Sequence, residues 1–293
     1  MKYWLCVFVL AAAGAFVPDA AARKLAYAMP PEPALSGGLS FKVAEPLAPA
    51  TGEETPKRGL LVVTQGLFLD DARTMFYRQD FGGGGLAVGL LFGPLGAGAN
   101  AMAIQNANEK EAEALRGRFR FSPAGLLAKA VQSRAVADGA NPAANEAVLV
   151  PSLYVTRDSE ERLIFWAILD VSIGEWRGRY SSLAQGRVPL LDAAKGLPDD
   201  QMVNLEWAIE SAYARGLDAL AADASGTLTG FKPQKMDISA LSPRFHKPVR
   251  YEHVLLQDDR VIVRGLSATQ FHAVGGFGFS GVLVMPGDAV KLR

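Results

Sequence analysis

Leu163-Ile164-Phe165-Trp166-Ala167-Ile168-Leu169-Asp170-Val171-Ser172-Ile173 decides the fold. Side chains alternate across a strand, so Leu163, Phe165, Ala167, Leu169, Val171 and Ile173 share one face. Ile164, Trp166 and Ile168 share the other. Apolar residues on both faces predict a central strand of a covered sheet. Gly174-Glu175 turns the chain, and Trp176 to Leu183 pairs back as a hairpin. Upstream, Ala147 to Thr156 reads as a strand interrupted by Pro151. Proline removes a ladder donor, so an edge or bulged position is expected there. Downstream, Asp199-Asp200 caps a long helix in which Leu205, Ile209, Ala212, Gly216 and Leu220 form one packing stripe. Glycine costs about 1 kcal/mol of helix propensity relative to alanine, so Gly216 is expected where the helix approaches the sheet closely.

Further elements extend this pattern outward. Ser122-Pro123 reads as an N-cap and first helical residue, followed by Leu126, Leu127, Ala130, Val131 and Arg134 at helical spacing. Asn106 to Leu115 reads as a short polar helix with Glu109, Glu111 and Glu113 ahead of Arg116. Leu60 to Thr64 reads as a buried strand, and Arg157 to Glu161 as a polar turn. From Pro248 the period becomes two: Val249, Tyr251, His253 and Leu255 alternate, Asp258-Asp259 turns, and Val261 to Val263 returns. Further short strands are expected at 271–274 and 281–285. The predicted class is α+β, a mixed sheet flanked by helices, plus a small C-terminal antiparallel β module. The expected organisation is a signal peptide at 1–28, a Pro-rich linker at 29–58, an α/β domain at 59–224 with a glycine-rich insert at 81–104, a linker at 225–247 and a β module at 248–293.

The order strand, helix, three strands, helix carries a resemblance. Its hairpin returns through Trp176-Arg177-Gly178-Arg179-Tyr180, and the helix after it ends Tyr213-Ala214-Arg215-Gly216-Leu217-Asp218-Ala219-Leu220-Ala221-Ala222-Asp223. This resembles the bacterial envelope domain shared by the TolB N-terminal domain, the curli export channel subunit and the Pel-type export lipoproteins, over roughly residues 58–224. The resemblance implies assembly, export or scaffolding work in the envelope, often in oligomers, and no enzyme activity. The lipidation cysteine common in that group is absent, and the glycine-rich insert and C-terminal strands have no counterpart.

Composition agrees with an exported protein. Lys plus Arg and Asp plus Glu both total 30, so the neutral chain lacks the basic excess that nucleic acid demands. A hydrophobic content of 49% supports a sizeable core. Lys2 followed by the uncharged stretch Tyr3 to Val17 reads as a secretory signal, with cleavage after Ala22 or Ala28. The sole cysteine, Cys6, lies inside that signal, so the mature chain is expected to be thiol-free, which suits a periplasm.

Residues 81–104 carry eight of the 30 glycines and no charge. Gly85, Gly89 and Gly93 form G-x-x-x-G-x-x-x-G, a face on which helices associate in membranes, with Leu90 and Phe92 interleaved. Pro94 breaks or kinks such a helix. Three readings stay open: a glycine-rich element of a soluble domain, a segment for association or membrane contact, and a nucleotide cradle at Gly82 to Ala87.

Catalytic signals are sparse. His246, His253 and His272 have no metal-ligand spacing, and His253 reads as a core histidine on a strand face. Gly278-Phe279-Ser280-Gly281 lacks the second glycine of a nucleophile elbow and reads as a turn. Asp70-Asp71, Asp199-Asp200 and Asp258-Asp259 read as a loop, a helix cap and a hairpin turn. Trp176, Arg177, Arg179 and Tyr180 make a candidate surface for anionic glycans or lipid head groups, set against a solvated strand face. No catalytic residue, metal or cofactor is expected. The expectation is therefore a periplasmic or outer-membrane-associated protein that binds itself or other envelope proteins and no nucleic acid. The competing reading is a periplasmic hydrolase or ligand-binding protein using His253, His272 and a carboxylate.

Overall fold

The computed structural model describes residues 39–44, 67–70, 73–77, 106–138, 145–158, 160–238, 241, 248–265 and 281–293. The sheet is built around β4 (Asn145–Arg157), β5 (Arg162–Ile173) and β6 (Trp176–Leu183), an antiparallel meander in which β5 is flanked on both sides. The alternation along β5 holds residue by residue. Its odd-numbered residues enter the cluster that packs against the helices, and Ile164, Trp166 and Ile168 enter a second cluster on the opposite face. The fold is thus α+β with one large mixed sheet that does not close into a barrel.

Four helices contribute to that first cluster and lie on one face. They are α1 (residues 106–115), α2 (Pro123–Asp138), the short α3 (Leu190–Lys195) and α4 (Asp199–Ala224). The Ser122 hydroxyl accepts the Gly125 N–H at 3.1 Å, the N-cap that the sequence predicts for α2. The α4 stripe of Leu205, Ile209, Ala212, Gly216 and Leu220 is buried throughout. At Gly216 the helix runs so close to the sheet that a Cβ would stand 3.0 Å from Leu169 Cδ1 and 3.3 Å from Ser182 Oγ. Asp199 and Asp200 occupy the first turn, but neither caps it: Pro198 is the N-cap residue and makes no side-chain hydrogen bond.

Pro151 sits in the interior of β4, opposite Leu169, and not at an edge or bulge. The outer side of β4 is shared by two short parallel strands, β1 (Leu39–Val43) and β3 (Thr74–Tyr77). The first reaches Leu149, whose carbonyl accepts the Ala44 N–H, and the second begins at Leu153. Backbone groups two apart point the same way, so the missing Pro151 donor faces the gap between β1 and β3. β2 (Leu67–Phe68) pairs outside β3, and β7 (Val188–Pro189) pairs with the start of β5. β1 falls in the Pro-rich stretch read as a linker, and the strand read at Leu60 to Thr64 lies outside the described residues.

The C-terminal strands continue this same sheet. β9 (Val249–Gln257) and β10 (Arg260–Arg264) form the expected hairpin, and β11 (Val282–Pro286) pairs antiparallel with β10 on one side and parallel with β6 on the other. Backbone proximity makes that join possible: a Cβ on Gly281 would lie 2.0 Å from the Arg179 carbonyl oxygen. Two short strands finish the far edge. β8 (Lys232–Asp237), within the stretch read as a linker, pairs with β9 and with β12 (Lys291–Leu292).

Candidate functional site

Three elements meet at a buried carboxylate. Asp223 ends the apolar stripe of α4, three residues beyond Leu220, and is fully buried. The hydroxyl of Tyr180 on β6 donates to its Oδ2 at 2.7 Å, and the guanidinium of Arg264 on β10 donates to its Oδ1 at 2.5 Å. Arg264 also lies over the Phe231 ring, 4.3 Å from its centroid. Burial raises the Asp223 carboxyl from 3.8 to about 6, against the charge and hydrogen bond of Arg264, which lower it. Burial likewise raises the Tyr180 phenol, and Arg264 opposes it. The sequence signal for this site was present: a carboxylate in phase with an apolar stripe must be buried and paired. Its partners lie 43 and 41 residues away in sequence, and only the fold supplies them.

Farther up α4, a cleft of about 270 Å³ opens against the β9–β10 turn, lined by Ser211, Arg215, Asp218, Asp259 and Arg260. Asp218 accepts from Arg134 of α2 and, at 3.4 Å, from Arg260. Arg215 donates to the Leu183 carbonyl at 2.8 Å, and its Nε is buried without a hydrogen bond. Burial lowers the Arg215 pKa, and the Arg260 charge lowers it further, while Asp259 and Asp218 oppose both.

The turn at 157–161 is also more than a solvated loop. The Asp158 carboxylate is buried and accepts from the backbone of Glu160 and Arg162, from Arg162 Nε at 2.9 Å and from an Arg187 terminal nitrogen at 3.0 Å. Arg157 reaches Glu111 of α1 at 3.0 Å. These pairs lock the β4–β5 connection to β7 and α1.

Three of the four residues read as a candidate surface, Trp176, Arg179 and Tyr180, divide between the two faces of β6. Period two places Trp176 and Tyr180 on the helix-covered face, where Trp176 is partly buried and Tyr180 is 1% exposed. Gly178 lies between them beneath the indole: a Cβ there would meet the Trp176 ring at 2.2 Å. Arg179 points to the other face and grips Asp170, directly across on β5, with two hydrogen bonds of 2.5 and 2.9 Å. Arg177 pairs with Ser172 through the backbone ladder.

His253 is half-buried, and its strand departs from simple alternation. The register between β8 and β9 slips between Lys232 and Gln234, so Glu252 and His253 together oppose Pro233. This bulge brings both Tyr251 and Val254 into the second apolar cluster and takes His253 out of phase. His246, His272, Ser280 and the association residues Gly85, Gly89, Leu90, Phe92 and Gly93 lie outside the described residues. Among the described residues, no group of three or more His, Cys, Asp or Glu side chains is placed to hold a metal ion, and no helix is long and apolar enough to cross a membrane.

No family model, no curated protein and no solved structure matches this chain.

Proposed function

We propose that this is an exported, non-enzymatic component of the bacterial envelope, working in scaffolding, assembly or export by binding protein partners or further copies of itself. One observation carries the reading. The buried charges hold helices to sheet and strand to strand, whereas the three most exposed large apolar residues among the described ones, Leu191, Val203 and Trp207, lie on the consecutive helices α3 and α4 at 62–68% exposure. Val203 and Trp207 are four residues apart, so they share the outer face of α4. Tryptophan is among the residues enriched in binding hot spots, whereas a lone surface leucine needs no explanation. The signal-like N-terminus supports export. The helix–strand–strand–strand–helix order supports kinship with the TolB-like and curli-channel-like envelope proteins. The glycine face of Gly85, Gly89 and Gly93 belongs to the same proposal as a second association or membrane-contact element.

The test is light scattering of the mature protein with and without detergent, combined with a photo-crosslinker at position 191 in intact cells. Trp207→Ser with Val203→Ser is expected to leave the melting temperature unchanged and to lower the association state or abolish the crosslink. Gly89→Leu is expected to shift oligomer size or membrane partitioning. A protein that stays monomeric, gives no crosslink from position 191 and behaves the same with Gly89→Leu overturns the proposal.

A further inference from the structure

We infer that the cleft between α4 and the β9–β10 turn binds a small oxyanion, a phosphate or carboxylate group, with Arg215 and Arg260 as its cationic contacts. The charge balance of the cleft carries the inference. Two guanidinium groups, those of Arg215 and Arg260, line it, and a third, that of Arg134 on α2, pairs with its Asp218. The carboxylate of Asp218 is already shared between Arg134 and Arg260. The Asp259 side chain is 82% exposed and only 3.7 Å from Arg260, so its charge is largely spent on water.

That leaves Arg215. Among the described residues it has a carbonyl partner, Leu183, and no carboxylate partner. A guanidinium carries five donors in a fixed fork, and a single carbonyl leaves most of them unused. Arg215 is held partly out of water and next to the like charge of Arg260, an arrangement that an entering anion relieves. The cleft also offers neutral donors: the Ser211 hydroxyl, one turn before Arg215 on the same helix, and the Gln185 amide both line it. Two guanidinium forks with a hydroxyl and an amide form a donor set matched to a tetrahedral or planar oxyanion. A cavity of about 270 Å³ admits such a group with a short attached stem.

The oxyanion can belong to a free small molecule or to a lipid head group, and the experiment separates the two. The full-length mature protein is titrated with inorganic phosphate by calorimetry, and with phosphatidylglycerol vesicles by co-sedimentation, at low and high salt. Arg215→Gln is expected to weaken binding at least about tenfold, in line with loss of a charge-assisted hydrogen-bond pair. Asp259→Asn removes a competing anion at the rim, and is expected to tighten binding severalfold, an effect that no folding defect produces. Because Arg215 also anchors α4 to the end of β6, Ser211→Ala serves as the milder companion, expected to weaken binding without lowering the melting temperature. Saturable phosphate binding with this variant pattern assigns a soluble ligand. The same pattern seen with vesicles alone assigns a head group. Absence of saturable binding to either probe, or binding indifferent to Arg215→Gln, Ser211→Ala and Asp259→Asn, overturns the inference.

Discussion

Replacing Asp223 by Asn converts the buried junction of α4, β6 and β10 into a measurable pH dependence. The carboxyl stands at about 6 in the fold against an ordinary 3.8, because burial outweighs the attraction of Arg264. At 1.36 kcal/mol per pH unit, this displacement corresponds to roughly 3 kcal/mol of linked free energy. The sign follows from which state holds the proton. Between 3.8 and about 6 the folded protein keeps a proton that the unfolded chain releases. The stabilisation is therefore complete below the unfolded value and is lost as pH rises through the folded one. Asparagine has the shape of the protonated acid and does not titrate. Urea melts of both proteins at steps from about pH 4 to about pH 8 give the wild-type-minus-variant stability, which cancels the other titrating groups. That difference is expected to fall by about 2–3 kcal/mol across the range. A flat difference refutes the claim that burial dominates this site. A difference that rises with pH shows instead that the Arg264 pair outweighs desolvation.

Asp158→Ala leaves Arg162 and Arg187 facing an empty buried site, and is expected to cost about 3–5 kcal/mol in a denaturant melt, as breaking a buried pair does. Gly281→Ala forces a Cβ onto the Arg179 carbonyl. It is expected to cost 1–3 kcal/mol or more, and to raise hydrogen exchange along β6 and β11 above that of β4 and β5.

The sequence made the elements legible and left most of their joins unread. The two faces of β5 follow from strict alternation, and the α4 stripe from helical spacing. Gly216 was readable because a glycine inside a strong helix needs a reason, and close packing on Leu169 is that reason. The faces of β9 were misread because one extra residue in a bulge reverses every assignment beyond it. Pro151 was misread because its tolerance depends on two neighbouring strands that stop on either side of it. Of the strands within the supposed linkers, β8 is polar and takes its form from the neighbours it pairs with, whereas β1 alternates Leu39, Phe41 and Val43 with polar residues, a five-residue signal masked by the surrounding prolines. The polar turn at Asp158 gave no sign of its buried carboxylate because its second arginine, Arg187, arrives from beyond β6. The cleft was invisible for the same reason: Arg215 on a helix and Arg260 after a hairpin turn share no local pattern.

The parallel contact between β6 and β11 sets an order of events for the growing chain. Tyr180 pairs with Leu169 on one side, but its partner on the other side, Val282, comes about a hundred residues later. The meander from β4 to β6 has mostly local partners and can pair early, yet its open edge cannot be covered until that distant segment arrives. At 5–20 residues per second, the wait is roughly 5–20 s during synthesis. Through that interval the apolar meander shows an unpaired edge, the kind of template that recruits other strands. Under the export proposed above, delivery in an unfolded, chaperoned state suits this topology better than folding as it is made.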